Sequence, residues 1–461
     1  MLLRLIRKEV LHNILSFRFA VTYGLLFVLV LLAVFLMGNE HRQRMETYTR
    51  QESQARDRLE ELAGVQDATE QFRQIQREDF AGVRQPGALA VLARGLEGSL
   101  PAQISSGGWF TRHSSEDRLG RNILLEIFQA PDFAYVVNMV LSLLALLFVF
   151  DSVCGEKERG TLKLLLSSSV PRDTVLLGKW VGGYLSIAGP FAAAAAAGFL
   201  YLSLSGSLPL EAEVVSRFAT ILAVSFLYIS ACFSLGLLIS TLAHRGATAL
   251  LMALLVWIGW ILVVPNVAPV VARLAAPVPS RQVIDAEQQA IDREAELLMG
   301  AIQKSKVYGD RQQMERIREE TEQRKRKLDG FYKDRMSRQT SLSQNLARLS
   351  PSASYLLAAT RLAGTGPDLF AHFSDAVERF HGAHDDFRRQ MYGNVSWTGG
   401  PDPDIQDKGW FDPDDVPRLS MFSESLSEAF DGALFDILLL CVFNVLFFLL
   451  SYVFFLRYDV T

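Results

Sequence analysis

The sequence has few cysteines, and none lies where a disulfide framework would be expected. Its 461 residues contain three, and each lies in or beside an apolar run: Cys154, Cys232 and Cys441. The long polar segments contain none, which argues against the class of small secreted domains that disulfides hold together. The cysteines do not indicate whether the protein lies in an oxidising or a reducing compartment.

A phosphate-binding loop is also lacking. The stretch Gly155–Gly160 followed by Thr161 has the glycine spacing of such a loop, but its interior is Glu-Lys-Glu-Arg. The lysine that would reach the β- and γ-phosphates is missing, and no other stretch has the GxxxxGK[ST] pattern. We therefore expect that the chain is not an enzyme and holds no cofactor, and that ATP and Mg²⁺ bind to a partner subunit.

The charge is balanced. Lys and Arg number 46 and Asp and Glu number 50, and no basic tail is present, so no nucleic-acid partner is expected. A block at Arg324–Lys327 could bind anionic lipid or nucleic acid, but Glu319, Glu320 and Glu322 precede it. A solvated helix face is the favoured interpretation.

Long apolar runs, in contrast, are abundant. Half of the residues are hydrophobic, and 21% are charged, which indicates membrane spans joined to sizeable soluble parts. A bilayer core of about 30 Å needs about 20 apolar residues in a helix. The sequence predicts an all-α membrane protein with spans at 19–38, 133–150, 181–204, 217–242, 247–264 and 433–456. The soluble segments are 39–132, 151–180 and 265–432.

Orientation follows from the short connections. Lys and Arg cluster before the first span, between the second and third, after the fourth and in the tail: Arg4, Arg7, Lys8, Arg18, Lys157, Arg159, Lys163, Arg172, Lys179, Arg245 and Arg457. By the positive-inside rule both termini and the segment 151–180 are expected in the cytoplasm. The segments 39–132 and 265–432 are then extracytoplasmic.

The centres of the spans lack ionisable residues. Asp132, Asp151 and Asp436 stand at or near span ends. Because buried carboxylates usually mark proton or ion paths, coupling to protons is disfavoured, and the energy for any work should come from a partner.

The second long segment is expected to be mostly helical. From Ser280 to about Ser350 the charges alternate in sign with a break at Tyr308–Asp310, which predicts an antiparallel helical hairpin. Farther on, an apolar seam recurs every three or four residues along one helix face: Phe370, Phe373, Val377, Phe380, His384, Phe387 and Met391.

One histidine of this seam belongs to a candidate metal site. His381, His384 and Asp385 could meet on one side of a helix and, with Asp386, bind zinc or copper. A fourth ligand is not apparent. The favoured interpretation is that no metal binds, with His384 filling its seam position as a hydrogen-bonded imidazole.

The segment DSVCGEKERGTLKLLLSSSVPRDTVLLGKW lies between the second and third spans. An ordinary solvated loop would explain its Lys and Arg, but not the neighbouring acids or the leucines. We interpret it as a docking element carried by these residues: Glu156, Lys157, Glu158, Arg159, Gly160, Thr161, Leu165, Pro171 and Arg172. In the third span, Gly178 and Gly182 predict close helix packing and Pro190 predicts a kink.

This segment resembles the cytoplasmic coupling segment of permease subunits of export-type (type-2) ABC transporters. It is most similar to the branch for multicopper-enzyme maturation, which includes the nitrous-oxide-reductase maturation permease. The residues that carry the family pattern are Glu156, Glu158, Gly160, Thr161, Leu164–Leu166, Pro171, Arg172, Gly178 and Lys179. The stretches PDFAYVVNMVLSLLALLFVFD and LSPSASYLLAATRLAGTG are also similar to this branch.

The resemblance implies a fold and an assembly. It implies six helical spans, an amphipathic interfacial helix at 1–18, a second permease copy that is identical or different, and a separate pair of ATPase subunits. The chain would be a multi-pass permease of a bacterial plasma membrane that exports or extracts a substrate, which the sequence does not name.

Two alternatives stay open. In the first, ATP hydrolysis moves the extracytoplasmic helices to act on a partner protein, and nothing crosses the membrane. In the second, the chain is a membrane-anchored metal chaperone centred on His381 and His384.

Overall fold

Apolar segments in a bilayer must satisfy their backbone hydrogen bonds internally, which favours helices. A computed structural model describes residues 2–65, 70–71, 74–75, 78, 80–106, 132–162, 171–305, 310–392, 412–422 and 424–457. It divides into two compact units, Met1–Ile261 with Pro351–Thr461, and Leu262–Ser350.

The predicted spans are present. Among the described residues, six helices are long and apolar enough to cross a membrane: Phe19–Ala63, Phe133–Glu158, Arg172–Leu204, Ala212–Leu242, Gly246–Ala275 and Leu426–Leu456. In the most apolar part of each helix, 78% of the residues of the fourth span are buried, but only 17% of those of the fifth. The fourth span is therefore the centre around which the others pack.

The bounds of the helices in the first unit are as follows. Helix α1 is Leu2–Ile14, α2 is Phe17–Ala63 and α4 is the short Cys154–Glu158. The second span, α3, consists of Phe133–Tyr135, a π-helical stretch Val136–Leu141, and Ser142–Val149. Helix α5 is Arg172–Leu204, α6 is Ala212–Leu242, and α7 is Gly246–Trp257, followed by a π-helical stretch Ile258–Val263.

Helix α2 is much longer than a membrane span requires. It begins at the N-cap Ser16, whose hydroxyl accepts a hydrogen bond from the backbone N–H of Phe19 at 3.2 Å. Its 47 residues would extend for about 70 Å, more than twice the thickness of a bilayer core. The second half of this helix is polar and charged, so the apolar and polar parts form one uninterrupted helix.

Beyond the far end of α2 lies a small sheet that the sequence did not predict. Strands β1 (Phe80–Val83) and β2 (Gln103–Ser106) pair antiparallel, with Phe80 opposite Ser106. Short 3-10 turns lie at Ala88–Val91 and Pro413–Asp415. The stretch between the two strands consists mainly of turns.

The apolar seam lies on the helix Asp368–Tyr392, which is α12 in chain order. Two core clusters in the first unit include Phe80, Phe373, Phe380 and Phe387. His384 is fully buried, with its ring stacked on Phe80 at 5.0 Å and edge-on to Phe380 at 4.4 Å. The imidazole therefore occupies its seam position within an apolar core.

Near the start of the second span, a tight contact joins two turns. Gly95 has a φ of +47°, and a Cβ at this position would lie 2.1 Å from the carbonyl oxygen of Thr365. The N–H of Leu96 donates to that carbonyl at 2.9 Å, and the Thr365 hydroxyl donates to the carbonyl of Ala93 at 2.7 Å. Only glycine satisfies both the backbone angle and the close approach.

Asp132 joins the same region to α3. Its carboxylate accepts hydrogen bonds from the backbone N–H of Arg94 at 2.6 Å and of Tyr135 at 2.7 Å. Burial raises the pKa of this carboxyl group to about 7, and the two backbone hydrogen bonds act in the opposite direction.

The second unit contains the predicted hairpin. Helices α8 (Val264–Ala275), α9 (Arg281–Ser305) and α10 (Asp310–Ala347) make up this unit. The contacts of α9 with α10 run in opposite directions along the two chains: Gln288 with Asp329, Asp292 with Lys325, and Glu294 with Arg324. Of the predicted break, Tyr308 and Gly309 lie outside the described residues. The pairing of Arg324 and Lys325 with acids agrees with a solvated, charge-balanced face.

The remaining helices return to the first unit. Helix α11 (Pro351–Leu362) is buried on all sides, apart from Arg361, against the fourth and sixth spans and the start of α3. Helix α13 (Leu426–Leu456) is the sixth span and begins with a capping box formed by Ser425 and Glu428.

The contact at Gly95 predicts that Gly95→Ala strongly destabilises the protein. A left-handed alanine costs about 1–2 kcal/mol, and the added Cβ would also overlap the Thr365 carbonyl, so the loss should exceed that figure. The measurement is the thermal unfolding midpoint of the purified protein in detergent.

Gly364→Ala is the matched control. Gly364 has a φ of +71°, but a Cβ there would meet nothing within 4 Å, so only the backbone cost should remain. Equal midpoints for the two variants would show that the contact of Gly95 with Thr365 is not tight in solution.

Candidate functional site

The segment between the second and third spans begins with a turn that needs glycine. Helix α4 ends at Glu158, and Gly160 follows with a φ of +73°. Its N–H donates to the carbonyl of Lys157 at 3.1 Å, and the Thr161 hydroxyl donates to the carbonyl of Glu156 at 3.4 Å. The left-handed residue therefore closes the short helix in the usual way.

The structure describes the segment up to Leu162 and again from Pro171. Leu162 is fully buried. The predicted docking residue Leu165, with Leu164 and Leu166, lies outside the described residues.

The start of α4 is attached to the fourth span. The hydroxyl oxygen of Ser240 accepts hydrogen bonds from the backbone N–H groups of Val153 at 3.0 Å and Cys154 at 3.2 Å. These are N–H groups at a helix start, which have no partner within the helix itself.

Lys157 caps the other side of the same span. Its ammonium group donates to the carbonyl oxygens of Thr241 and, at 3.3 Å, of Ala243. Both carbonyls lie at the C-terminal end of α6, where the helix dipole favours a cation.

Glu158 acts on the fifth span. Its carboxylate accepts a hydrogen bond from the backbone N–H of Gly246 at 3.0 Å. Gly246 is the first residue of α7, so the carboxylate lies at a helix N-terminus, where a negative charge is stabilised.

Glu156 binds a buried lysine at the start of the third span. The Lys179 ammonium lies 2.7 Å from the Glu156 carboxylate and 3.5 Å from that of Glu9. The Lys179 side chain is only 5% exposed, so the two carboxylates compensate a charge that would otherwise be buried alone. Glu9 brings α1 into the same ion cluster.

The predicted packing glycines face α1. A Cβ at Gly178 would lie 3.2 Å from the Leu5 Cβ, and one at Gly182 would lie 2.7 Å from the Glu9 Cβ. Small residues therefore let α1 approach α5 closely, and this approach puts Glu9 within reach of Lys179.

Arg172 reaches the sixth span. Its guanidinium donates to the carbonyl of Leu456 at 2.9 Å, which is the last residue of α13. Pro171 occupies the N-cap position of α5, with a ψ of 140°, and so marks the point where the helix begins.

Pro190 lies inside α5, which continues through it as one helix. A proline has no N–H to donate to the carbonyl four residues earlier, here that of Ser186. The hydroxyl of Tyr23 in α2 donates to that carbonyl instead. The proline thus creates a hydrogen bond between the first and third spans.

We call Glu156, Lys157, Glu158 and Arg172 the anchor residues. Lys157, Glu158 and Arg172 join the segment to the ends of the fourth, fifth and sixth spans respectively. Glu156 binds Lys179 near the start of α5. We call Arg159, Gly160 and Thr161 the exposed tip, because all three are exposed to solvent. Among the described residues, the Arg159 side chain donates a hydrogen bond only to the nearby carbonyl of Gly155. A displacement of the segment would act on all these helix ends together.

Sequence reasoning missed three residues outside the segment that bind it, namely Glu9, Ser240 and Gly246. Glu9 is the one acidic residue before position 40, in an otherwise basic stretch, which is a signal that could have been noticed. Ser240 and Gly246 stand at the borders of apolar runs and carry no comparable signal.

The candidate metal residues do not share one environment. His384 is buried between two phenylalanines, whereas Asp385 is exposed. In the part of the chain that the structure describes, no group of three or more His, Cys, Asp or Glu could hold a metal ion.

Comparison with known proteins places the whole chain. Residues 3–460 match the family model described as ABC-2 family transporter protein. The chain belongs to this family. It is therefore a multi-pass membrane protein, the permease component of an ABC transporter, and its family has no ATPase activity of its own.

A curated relative supports the resemblance to one branch. The chain is similar to the probable ABC transporter permease protein NosY of Stutzerimonas stutzeri, with 44% identity over 55 residues. That match covers 12% of the permease and 20% of the relative, so it concerns one segment and not the whole of either protein.

The ion cluster predicts that Glu156→Lys destabilises the permease. It would place a second cation beside the buried Lys179 and remove that residue's nearest carboxylate, at a cost on the order of 3 kcal/mol. The thermal unfolding midpoint in detergent should fall accordingly.

Arg159→Ala is the control from the same turn. Arg159 is exposed, so its removal should leave the midpoint unchanged within error. An unchanged midpoint for Glu156→Lys would show that Lys179 is not held by Glu156 in the folded permease.

Proposed function

We propose that the permease exports or extracts a substrate as part of an ATP-driven transporter, and that the segment 151–180 receives the motion of a separate ATPase subunit pair. ATP and Mg²⁺ bind in those subunits. A second permease copy, identical or different, completes the membrane part.

The observation that carries this proposal is the arrangement of the anchor residues. Hydrogen bonds from one short segment reach the ends of the fourth, fifth and sixth spans. Within the segment, Glu156 binds Lys179, which also pairs with Glu9 of helix α1. A loop that only connects two spans needs no such contacts. A loop that transmits force needs them, since an unattached loop would bend under load.

This arrangement gives the predicted docking residues two different roles. The anchor residues bind the permease itself, which leaves the exposed tip of Arg159, Gly160 and Thr161 to meet the ATPase. Leu165 and its neighbouring leucines would add an apolar contact to that surface.

The C-terminal end of α2 supports a second candidate function, in which the permease moves a partner protein without transport. Helix α2 continues from the membrane without interruption, and Leu62 at its far end packs in a core with Phe80 and Phe387. A tilt of the first span would therefore move this outer core directly. The polar lining expected of a transport route is also sparse in the spans.

We place both termini and the segment 151–180 in the cytoplasm of a bacterial cell, with the long segments on the other side of the plasma membrane. Lys and Arg at the short connections support this orientation. It puts the exposed tip on the side where ATP is available.

The proposed docking surface predicts that Arg159→Glu lowers the ATPase activity of the complex without lowering the stability of the permease. Reversing one exposed charge at the contact should weaken docking about fivefold or more. The measurement is ATPase activity per permease, together with the amount of ATPase subunit that co-purifies.

Arg338→Glu is the matched control, because Arg338 is also exposed but lies in the hairpin of the second unit. It should leave both quantities unchanged. Normal activity and normal co-purification of the Arg159→Glu complex would refute docking at the exposed tip.

The proposed orientation predicts the pattern of labelling by a membrane-impermeant thiol reagent in intact cells. In a background without the three native cysteines, Ser53→Cys and Ser341→Cys should react, since both positions are exposed on segments expected outside. Thr161→Cys should react only after the membrane is opened.

The even number of spans makes this test decisive. Labelling at position 53 but not at position 341 would put the two long segments on opposite sides. One of the spans would then not cross, and the exposed tip could not be assigned to the cytoplasm.

A further inference from the structure

One side chain in the second span contradicts the rule that buried polar groups are hydrogen-bonded. The Asn138 residue is 0% exposed, and neither its Nδ2 nor its Oδ1 has a partner among the described residues. A buried amide in this condition destabilises the conformation that contains it. Another asparagine amide in the spans, that of Asn444, bonds to Ser230, Leu227 and Leu440.

Asn138 lies within the π-helical stretch Val136–Leu141. At the end of this stretch the N–H of Ser142 donates to the carbonyl of Val137, five residues earlier, and not to that of Asn138. Such stretches contain one residue more per turn than an α-helix and are frequent at functional sites. Adding or removing that residue rotates one part of the helix about 100° against the other.

The carbonyl that the π-helix releases is satisfied from outside the helix. The hydroxyl of Tyr228 in the fourth span donates to the Asn138 carbonyl oxygen at 3.1 Å, and the Ser142 hydroxyl donates to the same atom. Tyr228 is itself held by ring stacking on Tyr355 of α11, with centroids 4.6 Å apart. Side chains therefore bond the backbone of Asn138 while its amide is left over.

We infer that the second span has two states, the π-helical form of this structure and a regular α-helical form in which the Asn138 amide is hydrogen-bonded. In the α-helical form the Ser142 N–H donates to the Asn138 carbonyl, as in any α-helix. That carbonyl then no longer needs the Tyr228 hydroxyl, which becomes available to the Asn138 side chain. The Tyr228 hydroxyl thus exchanges the Asn138 carbonyl for the Asn138 side-chain amide, which is then no longer unpaired.

The second span is placed to be driven by the segment 151–180. The chain leaves α3 at Val149 and within four residues is bound to Ser240 through Val153 and Cys154. A displacement of α4 therefore acts along α3 towards the π-helical stretch. The link to ATP hydrolysis rests on the proposed function, whereas the two forms of α3 do not.

The test compares Asn138→Leu with Asn444→Leu. Both exchange an asparagine for an apolar side chain of similar size inside a span, but only the side-chain amide of Asn444 is hydrogen-bonded in this structure. Asn138→Leu should raise the thermal unfolding midpoint of the nucleotide-free permease by about 2 °C, whereas Asn444→Leu should lower it.

The second measurement is the ATPase activity of the assembled complex. Because Asn138→Leu stabilises the π-helical form and removes the bond that favours the other, activity should fall about fivefold despite the higher stability. A purely structural role would not raise stability and lower activity together.

Three outcomes would overturn the inference. One is a lowered midpoint or failure to fold of Asn138→Leu, since the amide would then be bonded in the resting permease, for instance to a buried water. Another is an unchanged midpoint. The third is a raised midpoint with unchanged activity. Should no ATPase subunit co-purify with the unsubstituted permease, the proposed function fails, and the midpoints alone decide on the two forms of α3.

Discussion

Every helix ends with backbone N–H or C=O groups that have no partner within the helix, and water or side chains must satisfy them. At one end of this bundle the groups are satisfied by side chains from a single short segment. Lys157 caps the end of α6, Glu158 the start of α7, and Arg172 the end of α13. The same bonds that complete the helices therefore tie them to the segment.

This constraint explains why the segment carries charges of both signs next to one another. A cation suits the C-terminal end of a helix and an anion suits the N-terminal end, so a segment that meets both kinds of end needs both charges. Glu156 adds compensation for Lys179, which would be costly to bury alone. The positive-inside rule accounts for the cations only, whereas helix capping accounts for the acids as well.

The requirement that buried polar groups be bonded also orders the interior. Tyr23 satisfies the carbonyl that Pro190 leaves free, Trp180 donates to Ser234 at 2.8 Å, and Trp257 donates to Ser142 at 3.0 Å. These bonds connect neighbouring spans and make the bundle a set of mutually attached helices. Asn138 departs from this pattern with both polar atoms of its side chain, and it lies where the helix itself departs from the α-helical form.

Much of the architecture follows from the sequence because it depends on local composition. Six apolar runs of sufficient length become helices in any arrangement, and alternating charges around Tyr308–Asp310 predict a hairpin whichever way it points. The family resemblance rests likewise on a local pattern, GEKERGTLKLLL, and the match over residues 3–460 confirms it. The strands β1 and β2 were not foreseen, because each is four residues long and its pairing depends on packing against distant side chains.

The direction in which each charged side chain points was decided by the tertiary structure alone. The sequence by itself determined that the chain spans the membrane, that a charged segment separates the second and third spans, and that glycines line the start of the third. It could not show that Glu156 and Glu158 lie against Lys179 and Gly246, since those partners are 23 and 88 positions away in the chain. Nor could it show that the Asn138 amide is unpaired, because a hydrogen bond within a span is available only when folding brings a donor or acceptor from another helix to the same depth.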